Sequence, residues 1–125
     1  MGTELYHSDM KYSSSFTYDL HLGEHAEDWA KELFGNAKVE VKADSMAHLT
    51  GNLFIEVYYR NTPSGISTTQ ADYWLFKLET GTAIIISTDR LKKLVRKFYR
   101  ENGFKEGGDD NMSKGVLVPL IYILT

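Results

Sequence analysis

A chain of 125 residues, 42% of them hydrophobic, fits one domain with a real core and leaves little for a second. It carries no cysteine, which excludes disulfides and thiolate metal sites and favours a reducing, cytoplasmic setting. Its net charge of −3 excludes a surface coated in basic charge, and no apolar run is long enough for a bilayer-spanning helix.

Residues 1–16 carry no periodic pattern, and Ser13-Ser14-Ser15 suggests a flexible or edge segment in an N-terminus too polar for a signal peptide. From about 20 to 34 the pattern turns helical: Leu22, Ala26, Trp29, Ala30 and Leu33 recur at three- and four-residue spacing. Gly35-Asn36 ends that helix. Segments 38–44 and 51–60 read as two strands, and the link at 45–50, closed by Gly51-Asn52, predicts a hairpin. Residues 61–65 form a loop on turn chemistry, and 67–72 suit a short helical turn. Strands are predicted at 73–78 and 82–87, joined through Glu79-Thr80-Gly81. Thr88 or Asp89 caps a second helix to about 101, with Leu91, Leu94, Val95 and Phe98 facing inward. The loop 102–114 precedes a final apolar run, 116–124, which Pro119 marks as an edge strand. The expected domain is α/β, a sheet with helices against it, spanning 1–125.

Charge is unevenly placed. Six of the 14 basic residues, Arg90, Lys92, Lys93, Arg96, Lys97 and Arg100, fall on the second helix against Asp89 and Glu101 alone. Such a concentration fits an element that meets a phosphate backbone, with Lys105 and Lys114 following. An amphipathic helix with a basic solvent face has the same pattern. No base-reading motif is present, so contacts would fall on the backbone.

Alternation places Glu40, Lys42 and Asp44 on one face of the first strand, and Glu56 beside Phe54 and Tyr58 on one face of the second. A carboxylate in an apolar strand is costly to bury unless paired, and a second one nearby raises the cost. A divalent cation relieves both.

These residues also carry a resemblance. Glu27 follows Gly23 on the first helix, Asp44 ends one strand, and Glu56 stands in Ile55-Glu56-Val57 on the next. The arrangement resembles the PD-(D/E)XK nuclease superfamily, which includes restriction enzymes, Holliday-junction resolvases and small phage nucleases. Pro63-Ser64-Gly65-Ile66-Ser67 and Ala71-Asp72-Tyr73-Trp74 are similar to segments of phage members. The resemblance implies a restriction-endonuclease-like domain, a mixed central sheet flanked by helices in an α-β-β-β-α-β core. It implies that Glu27, Asp44 and Glu56 gather Mg²⁺ (or Mn²⁺) for hydrolysis of DNA, and that a homodimer would act on two strands. Where the family places lysine, two residues after Glu56, this chain has Tyr58. Lys42, on the face of Asp44, is the most economical substitute, and Lys77 is a second. If neither reaches the site, the implied protein is a non-catalytic module of the same fold that binds nucleic acid or a partner protein.

Overall fold

The computed structural model describes residues 9–125, with side chains from His21 onward except Asp109. The chain divides into a unit that ends at Asn36 and a unit Ala37–Thr125. The first contributes one long helix, α1 (Asp9–Gly35). It begins well before residue 20, so residues 9–16 of the expected flexible segment are helical, and residues 1–8 lie outside the described residues. The expected inward stripe is not uniformly covered: Leu22 is 54% and Trp29 47% exposed.

The second unit runs β1 (Val39–Asp44), α2 (Ala47–Thr50), β2 (Asn52–Tyr59), β3 (Thr62–Pro63), β4 (Tyr73–Leu78), β5 (Ala83–Ser87), α3 (Thr88–Asn102), β6 (Lys105–Gly107), β7 (Ser113–Pro119) and α4 (Leu120–Ile123). It is α/β as expected, but its strands form two sheets rather than one. The first has the order β1-β4-β5 and the second β3-β2-β7-β6. The first is mixed, with β1 parallel to β4 and β4 antiparallel to β5. The second is antiparallel throughout.

The predicted hairpin between 38–44 and 51–60 does not form. Residues 47–50 wind into a helical turn instead, which Gly51 ends with a φ of 77°. The chain therefore leaves β1 in a new direction, and β1 finds a parallel partner in β4 after a long crossover. The real hairpin lies one strand on. Arg60 and Asn61, both at positive φ, close a two-residue turn between β2 and β3 in the geometry that matches strand twist. The run that Pro119 marked as an edge is central instead, with β7 lying between β2 and β6. Pro119 sits at its last position, opposite Asn52, where a missing donor costs the ladder little.

One core joins the two sheets and α3. Leu53 and Ile55 of β2 oppose Val118 and Val116 of β7, and all four are fully buried. Trp74, Phe76 and Leu78 of β4 meet them with Leu91, Leu94, Val95 and Phe98 of α3. The inward face of α3 is thus the one its spacing predicts. Its cap is Ser87, ahead of the expected Thr88 or Asp89: the Ser87 Oγ accepts from the Arg90 N–H at 3.3 Å. Thr88 is buried and donates to the Ala71 carbonyl at 2.8 Å, fastening the start of α3 to the approach to β4. Ser87→Ala is expected to cost about 1 kcal/mol in urea unfolding of the full chain, the usual value of a lost helix cap.

No helix among the described residues is long and apolar enough to cross a membrane.

Candidate metal centre and nucleic-acid surface

Asp44 ends β1 and turns the chain. Its Oδ1 accepts from the N–H groups of Met46 and Ala47 at 3.0 and 2.9 Å, which starts α2. Its Oδ2 accepts from the N–H of Phe54 at 3.2 Å, so the same side chain ties the end of β1 to β2. A short acid is suited to this because it reaches backbone donors two and three residues on without leaving its own turn.

Glu56 lies two residues beyond Phe54. Alternation from Ile55 turns it to the face of β2 away from the core with α3. Its Oε2 accepts from the Ser64 hydroxyl at 2.8 Å and its Oε1 from the Ser113 hydroxyl at 2.6 Å. Both partners are placed by backbone constraints. Gly65, at φ 54°, presses against Glu56 so closely that a Cβ would collide with the Glu56 carbonyl oxygen, and this brings Ser64 to the carboxylate. Ser113, 3% exposed, stands opposite Tyr59 in β7. The residue opposite Glu56 is Gly115, where a Cβ would meet the Phe54 ring at 2.6 Å. The Phe54 ring therefore occupies the space a cross-strand side chain would take.

Asp44 and Glu56 are both half-buried, and among the described residues no cation lies within ion-pair distance of either. Their partners are neutral backbone and hydroxyl donors. They share no partner, and among the described residues no group of three metal-ligating acids or histidines forms. Glu27 is exposed on α1, in the other unit.

Lys42 shares the face of Asp44, as alternation predicts. Its Nζ is 3.5 Å from Glu40 and 5.8 Å from the centroid of the Trp74 ring. The alternative, Lys77, stands opposite Ala43 and so points to the other face of its sheet, with its Nζ donating to the Leu78 carbonyl at 3.3 Å. Tyr58, which stands where the resemblance would put a lysine, has left the Glu56 side. A bulge between Glu56 and Tyr58 shifts the register so that Tyr58 faces Lys114. Its ring packs edge-on against Phe104, with centroids 5.6 Å apart.

The six cations of α3 divide into two groups. Arg90 donates to the Tyr122 carbonyl at 2.7 Å, and Lys97 pairs with Glu101 at 2.8 Å while lying over the Phe98 and Tyr122 rings. The hydrogen bond to Glu101, then that carboxylate's charge, raises the Lys97 pKa above its ordinary value. Lys97 is therefore engaged in an exposed i,i+4 pair of modest strength. Lys92, Lys93, Arg96 and Arg100 make no such bond among the described residues. Lys92 and Arg96 line a cavity of about 250 Å³ with Val57, Ile66 and Ser67. Lys114 lies in a smaller one, about 120 Å³, with Tyr58, Asn61 and Phe104.

Sequence reasoning missed Ser64 and Ser113, the groups that hold Glu56. Ser64 stood within a quoted motif, but a turn serine gives no sign of what it bonds. Ser113 had no signal, because its role arises from pairing across 57 residues.

No protein-family model, curated protein or solved structure matches the chain.

Proposed function

We propose that this chain is a metal-dependent nuclease of restriction-endonuclease-like type that hydrolyses DNA phosphodiester bonds, with Asp44 and Glu56 as metal ligands. The observation that carries the reading is the two half-buried carboxylates held by neutral donors, with no cation of the described residues against them. Negative charge held only by neutral donors is open to a bound cation. The donor set fits Mg²⁺ or Mn²⁺. Each oxygen of Glu56 accepts one hydrogen bond and Asp44 Oδ2 accepts one, which leaves a lone pair on each. Mg²⁺ characteristically takes one or two carboxylates and keeps several waters. When bound, the ion lowers the pKa of a coordinated water and offsets charge on the phosphate oxygens.

The chain's own residues do the rest. Ser64 and Ser113 fix the carboxylate of Glu56, as outer hydrogen bonds fix metal ligands generally. Lys42 supplies the displaced positive charge: it shares the face of Asp44, and its contacts with Glu40 and the Trp74 ring are surface contacts of little strength that can give way to a phosphate. The loop Ser64–Ser67 joins the two halves of the surface, because Ser64 touches Glu56 while Ile66 and Ser67 line the cavity with Lys92 and Arg96.

The test is cleavage of supercoiled plasmid and branched DNA with Mg²⁺ or Mn²⁺. Metal-dependent cutting by wild type, reduced in Lys42→Ala, supports the reading. A second reading, a non-catalytic nucleic-acid-binding module, is favoured by Tyr58, whose ring is engaged with Phe104. Folded wild type that binds DNA but cuts no substrate form with either metal would establish it instead.

For either reading, Lys92→Ala and Arg96→Ala are expected to weaken DNA binding about equally across sequences. Each should lower the slope of log affinity against log salt by about one, as titrations at several salt concentrations would show.

A further inference from the structure

The end of α3 carries an aromatic cluster that the carboxylates do not use. Gly103, at φ 70° and ψ −164°, accepts a turn that other residues resist, and its N–H bonds the Tyr99 carbonyl at 2.7 Å. The chain folds back there and lays Phe104 against Tyr99, ring centroids 4.5 Å apart and 39° between planes. Tyr58 then meets the Phe104 edge. Tyr99 remains 46% and Phe104 37% exposed, so ring surface is open to solvent beside the cavity that Lys114 lines.

Cations lead to this cluster. Lys92, Arg96 and Arg100 recur every four residues and so form one stripe along α3, with about 6 Å of rise between neighbours. Arg96 and Tyr99, three apart, are neighbours on the helix surface. The cavity of about 120 Å³ is well below the roughly 300 Å³ of pockets that enclose a whole small molecule. Its lining supplies two aromatic rings, Tyr58 and Phe104, and one cation, Lys114, the groups that a base and its attached phosphate would use.

We infer that Tyr99, Phe104 and Tyr58 form a stacking platform for an unpaired nucleobase, so that the preferred ligand is single-stranded nucleic acid or the unpaired part of a branched one. This rests on the proposal that the chain acts on nucleic acid, and specifies the strand form. Every base has a π-face, so the platform adds affinity without sequence preference. A duplex keeps its bases stacked internally and would meet only the cations.

The experiment measures binding without metal, by fluorescence anisotropy, for a labelled oligothymidylate, the matching oligouridylate and a blunt DNA hairpin closed by a non-nucleotide linker, which leaves no base unpaired. Wild type is expected to bind the single strands more tightly than the hairpin. Tyr99→Ala should lose about tenfold on the single strands and leave the hairpin unchanged, whereas Tyr99→Phe keeps the platform and the affinity. Equal affinity for strand and hairpin, or a Tyr99→Ala variant that binds all three as wild type does, would overturn the inference while leaving nucleic-acid binding intact. Under that outcome the cluster only closes the end of α3, and Tyr99→Ala lowers the melting temperature alone. Binding of none of the three probes would overturn this inference together with the reading beneath it.

Discussion

Asp44→Ala is expected to destabilise the protein by about 2–4 kcal/mol in chemical denaturation, more than a turn aspartate ordinarily would. The side chain accepts from three backbone N–H groups. Met46 is exposed, so water replaces that bond. Ala47 is fully buried and Phe54 half-buried, and their donors would be left without a partner at about 1–3 kcal/mol each. Asp44→Asn separates this structural role from the metal. The asparagine oxygen still serves Met46 and Ala47, but its amide turns a donor toward the Phe54 N–H, so the loss should be roughly half as large. Saturating Mn²⁺ at 100 times its dissociation constant should then stabilise wild type by about 2.7 kcal/mol. Asp44→Asn should gain far less. Equal stabilisation of both proteins by Mn²⁺ would remove Asp44 from the metal site.

The same residue shows what could be read before the fold was known. Asp44 was legible as a strand end, because the alternation of 38–44 stops there. Its second bond, to Phe54, was not legible. The strands themselves were recoverable: β4 falls at Tyr73–Leu78, the predicted 73–78, and the inward face of α3 follows from its spacing. Partnership was not. Alternation tells which residues share a face, but nothing in Val39–Asp44 says whether its neighbour is β2 or β4. The hairpin was therefore the natural expectation, and a single helical turn at Ala47–Thr50 was enough to undo it. The same limit applies around Glu56. Its place in an apolar strand was visible, whereas the bulge that sends Tyr58 to Phe104 depends on register with β7. Trp29 is the opposite case, an aromatic at core spacing on a helix that leaves it half-exposed.

Glu56→Gln should lower metal-dependent cleavage on the order of 10³-fold while changing stability little. The reason lies in the two serines. A glutamine oxygen still accepts from one hydroxyl, and its amide donates to the other, since a serine oxygen is also an acceptor. What disappears is the negative charge, and with it the cation and the stabilisation of a charged transition state, for which losing even one fixed group costs about 10²–10³ in rate. Ser113→Ala refines the argument. It keeps the charge but frees one carboxylate oxygen, so activity should fall about 10- to 100-fold through poorer orientation of a retained ligand. Added Mn²⁺ should recover part of that loss in Ser113→Ala and none of it in Glu56→Gln. If cleavage by Glu56→Gln matches wild type in a plasmid assay, the carboxylate is merely a hydrogen-bond acceptor joining the loop at Ser64 to β7, and the catalytic centre lies elsewhere.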